Sequence, residues 1–205
     1  MKIAIIDYGM GNISSITSIL NFIGVLNVQL SNSIEVLEGA DKIILPGVGS
    51  FGSAINKIRD DKIDQLLYDL VVKKKKPLLG ICLGMQLLCK SSSEEKFNEG
   101  LGFINGEVTR FNESENLKIP HVGFNQVEIN KQSKLFKGIE NNSDFYFTHS
   151  YKMLSNDKNI ITASCIYNEK FIAGFEFENI AGVQFHPELS QTNGIKLFNN
   201  FIHLF

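Results

Sequence analysis

The chain opens with a short unbroken apolar run, KIAIID (2–7), closed by a polar residue and glycines, which predicts a strand buried on both faces. Apolar residues at 13, 16, 19, 20 and 23 follow at helical spacing, with Asn12 placed as N-cap and Gly24 just past the end. NVQL (27–30), KIILPG (42–47) and PLLGI (77–81) predict three more strands. A helix is expected from Ala54 to Lys75, broken near Asp60-Asp61, and a shorter one from Leu83 to Lys90. Strands alternating with helices imply a parallel sheet covered on both faces.

The pattern changes after position 100. INGEVTRF, HVGFNQVEIN, SDFYFTHSY, NIITASCIY, KFIAGFEFE and IAGVQF are strand-like segments joined by short polar turns, which predicts antiparallel extensions of the sheet. SSSEEKFNEG (91–100) is expected to be a loop. Apolar positions 195, 197, 198, 201, 202, 204 and 205 predict a closing helix. No internal repeat or linker is visible, so one domain spanning 1–205 is expected.

Composition narrows the function classes. Hydrophobic residues make up 43%, enough for a sizeable core, and the net charge of −2 gives no electrostatic reason to expect nucleic acid or an anionic membrane. Lys73 to Lys76 form a basic cluster, expected to be a solvated helix end. No apolar stretch is long enough for a membrane span, and the N-terminus resembles a first strand rather than a signal peptide. Cysteines at 82, 89 and 165 show no C-x-x-C spacing, so neither a metal site nor a disulfide framework is suggested, and a reducing cytoplasm is expected.

One cysteine stands apart. Cys82 lies between Gly80 and Gly84, where an apolar strand meets a helix, and G-x-C-x-G matches the spacing of a nucleophile elbow. Small flanking residues permit a tight turn, and the helix N-terminus favours thiolate over thiol. A buried core thiol is the competing reading, and it is the expected one for Cys89 and Cys165. A base is needed, and four histidines compete. His203 lies on the last helix and His121 fits a turn after Pro120. His149 and His186 both follow strand-like runs that could end at the same sheet edge as Cys82. His186 has Pro187 and Glu188 after it, a rigid backbone and an acid able to orient the imidazole. Gly47, Gly49 and Gly52 satisfy G-x-G-x-x-G, but the next strand ends without the acid a dinucleotide requires. A loop offering backbone N–H groups to an oxyanion suits these glycines better.

These residues carry a family resemblance. GICLGMQ with a distant QFHPE resembles the class I (triad) glutamine amidotransferases. DYGMGN, LPGVGSFG, GICLGMQLL, GLGFINGEVTRF, IPHVGFN, FYFTHSY and GVQFHPELSQTNGIKLFNNF, in that order, resemble the glutaminase-subunit family of imidazole glycerol phosphate synthase in histidine biosynthesis. The resemblance implies an α/β, flavodoxin-like three-layer fold whose mixed, mainly parallel sheet has about seven strands. It implies that Cys82 attacks L-glutamine, that His186 moves protons and that Glu188 orients His186. Leu83 and the Gly47-Val48-Gly49 segment would hold the oxyanion, and Gln86 with the Ser150-Tyr151 backbone the substrate. It implies no cofactor or metal. Ammonia would pass to a (β/α)₈ cyclase partner, with Phe124, Tyr146 and Leu189 toward that partner. Two positions depart from the family pattern: Phe124 replaces Trp, and Leu189 replaces Lys, which predicts altered docking with hydrolysis kept. A paralogous role, feeding ammonia to amidino-sugar synthesis for surface polysaccharides, is the alternative. A stand-alone hydrolase or peptidase and a non-enzymatic binding module are the readings from other classes.

Overall fold

The computed structural model describes residues 1–112 and 118–205. In chain order the elements are β1 (Lys2–Ile6), α1 (Ile13–Phe22), β2 (Asn27–Ser31), α2 (Ile34–Gly39), β3 (Lys42–Leu45), α3 (Phe51–Asp60) and α4 (Ile63–Leu67). A π-helical stretch (Tyr68–Lys73), β4 (Leu78–Ile81) and α5 (Leu83–Leu87) follow. Then come β5 (Ser91–Ser92), β6 (Asn98–Glu99), β7 (Glu107–Arg110), β8 (His121–Glu128), β9 (Ser143–His149), β10 (Tyr151–Leu154), β11 (Ile161–Tyr167), β12 (Glu169–Phe177) and β13 (Ile180–Val183). A 3₁₀ turn (Pro187–Leu189) leads into α6 (Gln191–Leu204).

The parallel portion has the order β2-β1-β3-β4-β13, the strand order of flavodoxin-like sheets. Its inner strands β1, β3, β4 and β13 are buried at consecutive positions because both faces are covered, whereas the edge strand β2 is largely exposed. Ile3 and Ile5 enter one core and Ala4 and Ile6 the other, as the two-residue period of a strand demands. Helices α1 and α6 cover the first face through Ile16, Leu20, Leu197, Phe198 and Phe201. Helices α2 to α5 cover the second through Leu37, Phe51, Ile55, Leu67 and Met85. The result is the three-layer α/β architecture expected.

Beyond β13 the sheet turns antiparallel through β12, β10 and β7, while β11, β8 and β9 continue from β12. Among the described residues thirteen strands join in one hydrogen-bonded network, three more than the ten strand segments read from the pattern and well above the seven or so implied by the resemblance. The increase has local causes. The segment 143–151 splits at Ser150 into β9 and β10, and the expected loop at 91–100 holds the short β5 and β6.

Other differences also have local reasons. Helix α3 starts at Phe51 rather than Ala54, because the Ser50 side chain accepts a hydrogen bond from Ser53 N and caps it. The expected break falls at Lys62, whose φ of 57° interrupts the helical backbone. Helix α2 went unpredicted; Ser33 caps it by accepting from Val36 N. The lysine run is only partly solvated. Lys73 and Lys74 pair with Asp69 and Glu38, but Lys76 donates to the carbonyls of Leu37, Glu38 and Ala40 at the end of α2. Among the described residues no helix is long and apolar enough to cross a membrane.

Candidate active site

Cys82 follows the last residue of β4, and α5 begins at the next residue. Its backbone adopts φ 53° and ψ −111°, a conformation non-glycine residues rarely hold. Gly84 makes the turn possible: a Cβ there would stand 1.9 Å from the Leu45 carbonyl oxygen of β3. Only glycine lets α5 start this close to the sheet. The Cys82 amide donates to Val183 O at 2.8 Å, which ties the elbow to β13.

That bond explains how residues a hundred positions apart meet. β4 and β13 are neighbouring parallel strands with Ile81 opposite Val183. Both chains therefore leave the sheet at the same edge, the carboxyl end of parallel strands where α/β folds hold their ligands. Cys82 emerges one residue after β4 and His186 three residues after β13. The His186 amide donates to Tyr146 O at 2.8 Å, and Tyr146 N donates to the Ser190 hydroxyl at 3.0 Å, so β9 braces the segment carrying the imidazole.

His186 and Glu188 are both buried, and His186 Nδ1 lies 2.7 Å from Glu188 Oε1. Nε2 is buried too. Burial lowers the His186 pKa, but Cys82 and then Glu188 more than reverse this and raise it to about 10. An imidazolium is thus favoured beside the sulfur, held in orientation by the carboxylate.

A cavity of about 280 Å³ opens on these groups, lined by Cys82, His186, Leu83, Gln86, Val48, Gly49, Ser150 and Tyr151 among others. Every residue expected to catalyse or to hold oxyanion or substrate lines it, except Glu188 and Gly47, which stand just behind. Gly47 packs so tightly that a Cβ would lie 2.5 Å from Tyr8 Oη and 2.9 Å from Gly84 N. Tyr8 donates its hydroxyl to Pro46 O at 2.6 Å and so pins the start of the loop, while Val48 is 43% exposed. Ser150 O accepts from Phe111 N, and Tyr151 O accepts from Gln86 Nε2 at 3.1 Å, so both carbonyls are already engaged within the protein.

Of the three residues expected toward a partner, Phe124 and Leu189 are exposed and Tyr146 is half-buried. The Phe124 and Tyr146 rings meet edge to face with centroids 5.4 Å apart. The competing histidines separate cleanly. His149 lines the cavity but hydrogen-bonds the Tyr151 carbonyl, and burial lowers its pKa to about 3. His121 is no turn residue: it opens β8 and is buried, because β8 begins immediately after Pro120. Cys89 and Cys165 are buried, and burial pushes each thiol up to about 12.

Three residues at the site escaped sequence reasoning. Gln184, fully buried, accepts from Gln86 and places its own Nε2 3.8 Å from Cys82 Sγ. Asn12 does stand at the N-cap position of α1, but its side chain caps nothing; it reaches Glu188 Oε1 at 3.4 Å. Glu94, assigned to a polar loop, lines the cavity and accepts from Phe51 N. The alternation Gly182, Gln184, His186 was a usable signal for the first, since alternate residues share one side of an extended chain.

The family model for "Glutamine amidotransferase class-I" matches residues 4–204. An "Imidazole glycerol phosphate synthase subunit HisH 1" from Campylobacter jejuni (strain RM1221) is 46% identical over 202 residues, covering 98% of this chain and all of that protein. A subunit HisH from Pelagibacter ubique (strain HTCC1062) is 38% identical over 208 residues, covering 100% of both. Among solved structures, one of a glutamine amidotransferase superposes with a TM-score of 0.75 at 18% identity, covering 98% of this chain and 97% of its own.

Proposed function

Because this chain belongs to the class I glutamine amidotransferase family, we propose that it is a glutaminase that supplies ammonia as a subunit of imidazole glycerol phosphate synthase in histidine biosynthesis. The observation that carries the reading is the meeting of Cys82 and His186 on one cavity at the end of β4 and β13, with Glu188 bonded to the imidazole from behind.

The Cys82 thiolate attacks the side-chain amide carbon of glutamine. The carbonyl π electrons move to oxygen, where the Leu83 amide and the Gly47-Val48-Gly49 backbone receive the charge. As the tetrahedral adduct collapses, His186 gives its Nε2 proton to the departing nitrogen and ammonia leaves a thioester. Water then attacks; His186 takes one of its protons and returns it to the sulfur as glutamate is released. Glu188 keeps the ring in one orientation, and Asn12 steadies Glu188. Glu94 offers negative charge to the substrate's α-ammonium group, and Gln86 with the Ser150-Tyr151 amides and side chains contacts the rest. All of this takes place within residues 1–205 acting as one domain.

The subunit names of the relatives support a complex, here with a (β/α)₈ cyclase in a heterodimer. Val48, Val122, Phe124 and Leu189 are exposed apolar residues on or near the segments that build the site, and such residues suit a docking face. The relatives named above do not favour the amidino-sugar role. The test is to mix the chain with a histidine-pathway cyclase and follow product formation. Cys82→Ala should abolish turnover supported by glutamine while turnover supported by ammonium salt continues. Glutamine hydrolysis by Cys82→Ala would overturn the reading.

A further inference from the structure

β8 and β9 pair so that His121 stands directly opposite His149. Both rings are buried, with His121 Nδ1 3.1 Å from His149 Nε2. At one end of the pair, His149 Nδ1 lies 2.7 Å from the Tyr151 carbonyl oxygen. At the other, Asn125 Nδ2 lies 3.3 Å from His121 Nε2.

These ends fix the direction of every bond. A carbonyl only accepts, so His149 carries its proton on Nδ1 and presents Nε2 as an acceptor. His121 must then donate from Nδ1 and accept at Nε2. Asn125 supplies that donor, and its amide orientation is set independently: Nδ2 also donates to Ile166 O at 3.0 Å, and Oδ1 accepts from Gln126 N at 2.8 Å. One arrangement of protons, with both imidazoles neutral, satisfies the whole chain. An extra proton on either ring would set two donors facing each other.

The surroundings enforce neutrality. Phe111, Phe147 and Phe171 pack around the rings, and Tyr167 stacks on His121 with centroids 3.9 Å apart. Burial lowers His121 to about 4 and His149 to about 3, and His186 adds like-charge opposition at His149. Lys152, ion-paired with Glu169, lies over the Phe111 ring.

The Tyr151 carbonyl takes a second donor, Gln86 Nε2, which fills its other lone pair. Tyr151, Gln86 and His149 line the cavity, whereas His121 and Asn125 stand behind it. We infer that the chain Asn125–His121–His149 positions glutamine: it fixes the Tyr151 carbonyl, and through it Gln86, so that this cavity wall keeps one shape. His121 is a positioning residue that never touches substrate.

This inference rests on the glutamine reading above, and two measurements keep the two apart. In the Cys82→Ala background, glutamine affinity is measured by calorimetry for His121→Phe and His121→Asn. Phenylalanine keeps the stacking but deletes the donor, whereas asparagine keeps a donor near Nδ1. His121→Phe should weaken glutamine binding about five- to tenfold, and His121→Asn should restore it to within about twofold of the parent. A residue that only packs would give the reverse order, because phenylalanine fits between Tyr167 and Phe147. Affinities equal to the parent in both variants, or tighter binding by the phenylalanine variant, would overturn the inference. The second measurement needs no glutamine: ring ¹⁵N spectra should show neutral Nδ1–H tautomers at 121 and 149 down to about pH 5. If the parent binds no glutamine, the functional reading fails by itself, and the spectra decide the chain. A charged ring or an Nε2–H tautomer at 149 near pH 7 would overturn it.

Discussion

Replacing the nucleophile with glycine should stabilise the protein relative to replacing it with alanine. Cys82 combines φ 53° with ψ −111°, outside the small left-handed basin that side-chain-bearing residues visit. Holding any Cβ in such a conformation costs about 2–3 kcal/mol. Glycine escapes that strain but loses more freedom on folding, which offsets about 1 kcal/mol. Alanine is the proper reference, because it lacks the sulfur as glycine does yet keeps the Cβ. The net preference is about 1–2 kcal/mol for glycine, opposite in sign to the usual order of the two residues in regular structure. At about 2–4 °C per kcal/mol for a chain of this size, Cys82→Gly should melt about 2–8 °C above Cys82→Ala. Calorimetric melts of the two proteins without substrate make the comparison. Melting of Cys82→Gly at or below Cys82→Ala would refute the claim that the elbow stores backbone strain, and with it the claim that the thiol is held out at the sheet edge against a conformational preference.

Two further predictions follow from the same geometry. Gly84→Ala would push a Cβ to 1.9 Å from the Leu45 carbonyl, which belongs to β3 and cannot swing aside; it should destabilise by about 3 kcal/mol in denaturant unfolding and remove glutaminase activity by displacing Cys82 and the Leu83 amide. His186 should titrate far above an ordinary histidine, near the value of about 10, because Cys82 and Glu188 outweigh burial. Cys82→Ala deletes one of those raising contributions and leaves burial, so by NMR titration the ring should lose its proton at lower pH than in the parent; an unchanged titration would show that the sulfur does not act on the imidazole.

Much of the fold was legible because its parallel strands are buried on both faces. Such strands must be continuously apolar, and KIAII, KIIL and LLGI announce themselves without any tertiary information. The elbow was legible for a related reason: glycines at 80 and 84 around a lone thiol have few structural uses. Side-chain pairings were less accessible. Asn12 looked like a helix cap because caps are local, yet its partner Glu188 lies 176 residues away. His121 meets His149 only because of the register between β8 and β9, and two histidines in separate strands do not reveal how those strands align. Glu94 belongs to a polar stretch whose composition favours solvent, and it reaches the cavity only because β5 and β6 fold that stretch back under α3. Position 184 was visible as part of a motif, but its contact with both Gln86 and Cys82 depends on the packing of α5 against β13.

The rung between the Cys82 amide and the Val183 carbonyl also decides where this gene can tolerate length changes. The surface excursions between β4 and β13 can gain or lose residues without disturbing how those two strands align. The three-residue step from Val183 to His186 has no such latitude. One codon added there would lengthen the short tether between the β13 rung and the imidazole and carry the ring away from the sulfur in an otherwise intact molecule.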